Sequence, residues 1–143
     1  EVPLYGRACF EADTVLSAQL AGAAQRVLQA AAQHLGPDTL AQFSLNSPQV
    51  HRGLFVSGDR FVSTTAESQA LRQDLPGALA VEMEGAAVAQ VCFDYGVPFA
   101  AVRTISDRAD DAAHTDFQRF ICEVASRYSR AILSQWLAQR PPV

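Results

Sequence analysis

A chain of 143 residues is about one domain's worth and long enough to bury a single core. Its 49% hydrophobic and 18% charged residues, with mean hydropathy near zero, fit a globular domain and exclude disordered and collagen-like chains. A net charge of −4 without any Lys/Arg cluster argues against a nucleic-acid partner, and no apolar run nears the roughly 20 residues that cross a bilayer, so no membrane partner is expected.

The opening residues, 1–10, hold Pro3 and Gly6 without a sustained period and read as a loop or the tail of another element. From Asp13 the pattern changes. Val15, Leu16, Leu20, Ala23, Ala24, Val27, Leu28, Ala31 and Leu35 recur at helical spacing, Asp13 can cap the start, and Gly36-Pro37 stops the run. After a loop around Asn46-Ser47-Pro48, residues 50–57 read as a buried strand running into the turn Ser57-Gly58-Asp59. A short helix is expected over 65–75, closed by Pro76-Gly77. A buried strand over 78–82, a small-residue helix over 84–95 and another buried strand over 99–106 follow. Strand, helix, strand in that compass implies a right-handed crossover and parallel pairing. The last helix, over about 116–138, lines up Phe117, Phe120, Ile121, Val124, Ala125, Tyr128, Ile132 and Trp136 on one packing stripe. With no repeat and no linker, the chain reads as one α/β unit.

Cys9, Cys92 and Cys122 are an odd number at wide spacing, which speaks against a disulfide framework and fits a reducing cytoplasm. His34, His51 and His114 are equally scattered, with no HExxH or CxxC pairing to hold zinc, and neither a metal nor a cofactor is expected. The only methionine is Met83 and the first residue is a glutamate, so a processed chain or an absent N-terminal part is expected.

Ligands of parallel α/β sheets sit beyond the carboxyl ends of the strands, which here are Ser57-Gly58-Asp59-Arg60-Phe61, Glu82-Met83-Glu84-Gly85 and Arg103-Thr104-Ile105-Ser106-Asp107. Two carboxylates flank Met83 where an apolar strand gives way to a helix, and charges there are costly unless a ligand or partner satisfies them. Glu84 could equally serve only the positive end of that helix. An arginine inside an apolar strand needs a carboxylate or similar partner nearby; Glu82 is one candidate, with Arg103 then either orienting a site or forming a structural ion pair. Phe61 and Phe117 could each be packing residues, and Asp59 could merely cap a turn.

Four blocks in this order carry a resemblance to a known family. Val56-Ser57-Gly58-Asp59-Arg60-Phe61, Ala80-Val81-Glu82-Met83-Glu84-Gly85-Ala86-Ala87, Val97-Pro98-Phe99 and Val102-Arg103-Thr104-Ile105-Ser106-Asp107 together resemble the nucleoside phosphorylase superfamily. The best match is its hydrolytic branch, the 5′-methylthioadenosine/S-adenosylhomocysteine nucleosidases of methionine salvage. The resemblance implies a three-layer α/β fold with a central mixed sheet, here lacking its N-terminal part, so that residues 1–143 form the C-terminal part of a single domain. It further implies that Met83 packs under the ribose of a purine nucleoside while Glu84 accepts from the ribose hydroxyls. Ser106 and Asp107 face the purine, with Asp107 as the acid at N7. Phe61 stacks on the base, the backbone of Val62 bonds the adenine edge, Glu82 and Arg103 support the site, and Phe117 nears the 5′-substituent. A homodimer is implied by the resemblance alone. Glycosidic cleavage builds positive charge on the ribose and negative charge on the departing purine, which suits a carboxylate on one side and a proton donor on the other. To donate at neutral pH, Asp107 needs a raised pKa, which burial at a strand end could supply.

The family's Gly-rich loop and water-activating glutamate have no match in this sequence, and Glu11, just before the first helix, is not in their context. The chain is therefore expected to be inactive alone, and active when a companion segment supplies the missing half. A purine nucleoside phosphorylase, which would depend on phosphate, and a futalosine hydrolase, which shares Met83-Glu84-Gly85-Ala86-Ala87, are the enzymatic alternatives. A noncatalytic nucleoside-binding fragment is the alternative of another class.

Overall fold

The computed structural model describes residue 2 and residues 4–106 and 117–139. Helix α1 (Thr14–Gln29) starts where the Asp13 carboxylate accepts the N–H of Leu16 at 2.8 Å, the cap expected from the sequence. Removing that acceptor by Asp13→Ala should lower the unfolding free energy by about 1 kcal/mol, measurable by chemical denaturation. At Ala30 the backbone leaves helical geometry (φ −106°, ψ 28°), and α2 (Ala31–Leu35) continues the buried stripe. The single run read from periodicity is thus two helices. Gly36 then adopts φ 84° and ψ 153°, a conformation open to glycine and strained for other residues. Pro37 opens α3 (Pro37–Gln42), at a first-turn position where its missing N–H would have no helical acceptor. The sequence marked Gly36-Pro37 as a stop and did not anticipate this third helix.

The core lies among helices rather than on the sheet. Ala23, Ala24 and Val27 of α1 and Ala31 and Leu35 of α2 pack with Phe120, Val124, Tyr128 and Ile132. The latter four come from α6 (Phe117–Phe120), the wide turn Ile121–Ala125 and α7 (Ser126–Leu137). Their spacing of four residues throughout is accommodated because one π-helical turn interrupts an otherwise α-helical run. Trp136 Nε1 donates to Gln19 at 3.1 Å and Arg127 donates to the Leu35 carbonyl at 3.1 Å, which ties α7 to α1 and to the end of α2.

The other half of the described structure is a β–α–β unit made of β1 (Leu54–Ser57), α4 (Thr65–Asp74) and β2 (Ala78–Glu82), followed by α5 (Gly85–Asp94). β1 and β2 pair in parallel, with Phe55 opposite Ala80 and Ser57 opposite Glu82. β1 is shorter than the expected 50–57 because Val50 packs against the helical core instead. Thr64 caps α4 by accepting the Glu67 N–H at 3.3 Å, and Glu67 in turn holds Arg60 at 2.6 Å, which anchors the loop that carries Phe61 and Val62. The N-terminal residues lie against α5, with Tyr5 donating to Asp94 at 2.7 Å and the Arg7 guanidinium 4.2 Å over the Phe93 ring.

Two expectations fail here. Residues 99–106 do not form a strand: among the described residues their backbone makes no ladder bonds, and Val102 and Ile105 remain 36% and 57% exposed. A parallel strand needs a neighbour to hydrogen-bond with, and among the described residues this segment is paired with none, so the parallel pair is β1 with β2. Nor are the strands buried, since Leu54 and Leu79 are 41% and 53% exposed. No described helix is long and apolar enough to cross a membrane.

Candidate functional site

The carboxyl ends of β1 and β2 lie side by side because the register pairs Ser57 with Glu82 and the Gly58 N–H donates to the Glu82 carbonyl at 3.1 Å. The side chains of Ser57 and Glu82 therefore meet at the foot of α5. Glu82 accepts the Ser57 hydroxyl, the backbone N–H of Gly85 at 2.8 and 2.9 Å and that of Glu84 at 3.2 Å. Arg103 donates to its Oε2 at 2.5 Å. Desolvation pushes the Glu82 carboxyl up, but the Ser57 hydroxyl, the two backbone donors and Arg103 together outweigh it and hold the pKa below the ordinary carboxylate value. The side chain is only 10% exposed, so it stays charged in a place where an unpartnered carboxylate would not. Gly85 fits this arrangement because a Cβ there would stand 2.7 Å from Glu82 Oε1.

Glu84 behaves differently. It occupies the N-cap position of α5, yet its side chain makes no capping bond to the helix. Its carboxylate instead turns outward, 70% exposed, with Oε2 3.3 Å from the same Arg103 Nη2 that holds Glu82. One guanidinium thus bridges a sunken carboxylate and an open one. Glu82 was one candidate partner for Arg103 in the sequence; the reach of Arg103 to Glu84 was not anticipated. An exposed carboxylate beside a fixed cation can accept from vicinal hydroxyls or face a developing positive charge.

The other predicted site residues lie at varied exposure. Met83, Phe61 and Phe117 are 43%, 46% and 37% exposed among the described residues. Val62 and Ser106 are half-buried. Asp107 lies outside the described residues. Ser57 is the member of the cluster that the sequence passed over. Its position at the end of an apolar strand was the available signal, but the neighbouring Gly58-Asp59 made it read as part of a turn. A groove of about 830 Å³ lined by Arg7, Cys9, Phe10, Ala89, Phe93 and Phe99 contains none of the predicted residues. Among the described residues no group of three or more His, Cys, Asp or Glu side chains could hold a metal ion.

Comparison with known proteins bears directly on this geometry. A sequence model of the phosphorylase superfamily matches residues 4–138. The structure is similar to the 5′-methylthioadenosine/S-adenosylhomocysteine nucleosidase of Neisseria meningitidis, solved with methylthio-immucillin-A, at 31% identity and a TM-score of 0.71, covering 98% of this chain and 52% of that one. A putative methylthioadenosine nucleosidase from Weissella paramesenteroides is similar at 33% identity and a TM-score of 0.73, with 98% and 52% covered. The futalosine hydrolase of Helicobacter pylori is similar at 30% identity and a TM-score of 0.69, with 92% and 47% covered. The chain spans about half the length of these solved relatives. Matched over nearly all of its residues, and sharing the fold of nucleosidases at about 30% identity, the chain belongs to the phosphorylase superfamily.

Proposed function

We propose that this chain carries the purine and ribose sites of a nucleosidase that hydrolyses the N-glycosidic bond of 5′-methylthioadenosine or S-adenosylhomocysteine. The observation that carries the reading is Glu84, a carboxylate held open at a helix N-terminus beside Arg103 while Glu82 and Ser57 occupy the helix donors. In the proposed reaction Glu84 accepts from the ribose hydroxyls and faces the positive charge that develops on the sugar. Met83 packs under the ribose, Phe61 stacks on the base, the Val62 backbone meets the adenine edge, Ser106 lies beside the purine and Phe117 borders the 5′-substituent. Asp107 gives its proton to N7 as the C1′–N9 bond breaks, and a water oxygen bonds to C1′ while its proton passes to the water-activating residue of the companion half. Glu82 and Arg103 set the position of Glu84 without touching the reacting atoms.

The proposal includes a companion, the remaining half of the same domain, as the source of the residue that activates water. Support comes from the roughly half-length span relative to the solved relatives and from the exposed Leu54 and Leu79 of the two strands and Val102 and Ile105 of residues 99–106. Apolar side chains so placed suit coverage by further strands.

Adenine release from methylthioadenosine tests the reading. The purified chain, its identity confirmed by intact mass, should release no adenine alone and should do so once a polypeptide equivalent to the other half is added, without dependence on phosphate. Robust turnover by the chain alone would refute the companion, and phosphate dependence would turn the reading to a phosphorylase. The similarity to a futalosine hydrolase supports a second reading of the same site. Cleavage of futalosine in preference to methylthioadenosine would select it.

A further inference from the structure

We propose that Ser57 is a positioning residue, which keeps Glu84 turned toward the ribose by occupying the helix donor that Glu84 would otherwise cap. This deepens the nucleosidase reading and rests on it for the identity of the ligand. Short polar side chains at an N-cap fold back to accept the N–H two or three positions on, and a glutamate carboxylate can reach the same donors when one is free. For Glu84 those donors belong to Ala86 and Ala87. The Ala86 N–H, however, is already given to Ser57 Oγ at 2.8 Å, and the Gly85 N–H is given to Glu82. The Ser57 hydroxyl accepts from Ala86 and donates a hydrogen bond to Glu82 Oε1, so a single oxygen links strand β1, strand β2 and the first turn of α5. Capping of α5 is thereby carried by side chains from two strands. Its own N-cap residue is left pointing outward, 70% exposed, beside Arg103.

The consequence of losing that oxygen is specific. In Ser57→Ala the Ala86 N–H has no acceptor, and an anionic side chain one turn-start away is attracted to it by both the hydrogen bond and the helix dipole. Glu84 then turns inward and leaves the ribose. A base-only ligand does not use Glu84 and is indifferent to the change, whereas a nucleoside loses a charge-assisted contact. Ser57→Thr keeps the hydroxyl and should restore the original arrangement.

Two measurements on the full chain, in the assembly in which it is isolated, decide the matter. The first needs no ligand: amide exchange of Ala86 across a double-mutant cycle. With Ser57 present, Glu84→Ala should leave Ala86 exchange unchanged. In the Ser57→Ala background, Glu84→Ala should speed it about tenfold, since Glu84 has become the acceptor. Independence of the two substitutions overturns the proposal. The second compares calorimetric affinities for adenine and for methylthio-immucillin-A, a non-hydrolysable nucleoside analogue. Ser57→Ala should weaken the nucleoside analogue about tenfold and shift adenine by less than about twofold, and Ser57→Thr should recover the wild-type ratio. Equal losses for both ligands, or no loss, overturn the role of Ser57. A wild-type assembly that binds neither ligand overturns the nucleosidase reading, and the exchange cycle still decides whether Ser57 holds Glu84 outward.

Discussion

Replacing Glu84 by glutamine should reduce adenine release from methylthioadenosine about 10²–10³-fold in the competent assembly, with most of the loss in kcat and little in KM. Glutamine has nearly the shape of glutamate and can still accept from a ribose hydroxyl through its carbonyl oxygen. What it lacks is the negative charge. A ground-state nucleoside ribose is neutral, whereas the sugar becomes cationic as the glycosidic bond lengthens, so the charge is felt mainly in the transition state. Arg103 sharpens this expectation. Its Nη2, 3.3 Å from Glu84, is fixed by the shorter contact to Glu82, and so it cannot follow a neutral amide as it would a carboxylate. Steady-state kinetics with both variants of the assembly give the answer. A raised KM at unchanged kcat would reduce Glu84 to a ground-state anchor, and an unchanged kcat/KM would remove it from the site.

The parts of the fold that were legible in the sequence are those fixed by local signals. Asp13 with its helical stripe, Pro76-Gly77 after α4, and residues 78–82 as a strand depend on capping, turn chemistry and short-range periodicity, and each is where the pattern put it. Residues 99–106 were misread for the opposite reason. Their run of apolar and β-branched side chains has the composition of a strand, but strand formation requires a neighbour, and sequence pattern carries no record of whether one is present. The break at Ala30 was invisible because alanine is the best helix former and marks no boundary. In the site, Glu82 as one candidate partner for Arg103 followed from the burial cost of charge, a physical argument that needs only an arginine and a carboxylate set in apolar runs. The roles of Ser57 and of Arg103 toward Glu84 required register. Once Ser57 stands opposite Glu82, its hydroxyl has both a carboxylate and a helix amide within reach, and nothing in the one-dimensional spacing of residues 57, 82 and 86 announces that.

Glu82 is the group whose loss should damage the structure most. Glu82→Ala leaves the Ser57 hydroxyl, the Gly85 and Glu84 N–H groups and one side of Arg103 without their acceptor, and should cost about 2–4 kcal/mol of stability. Arg103 is 40% exposed and regains water, so most of that loss falls on the sheltered donors at the foot of α5. The charge itself can be isolated with Glu82→Gln, which keeps the size. Because the folded-state pKa of Glu82 is depressed, the unfolded chain takes up the proton first as pH falls. The stabilisation is therefore fully present above the unfolded carboxyl value of about 4.3 and is lost as pH drops through the lower folded value. Unfolding free energies of the wild type and Glu82→Gln, compared from pH 7 to pH 3, should differ by a constant amount at the upper end and converge below about pH 4.3. Carboxylates common to both proteins cancel in that difference. Parallel profiles down to pH 3 would mean that the Ser57, Gly85, Glu84 and Arg103 donors do not favour the charged form of Glu82, and the polar foot of α5 would then have to be held by neutral hydrogen bonds alone.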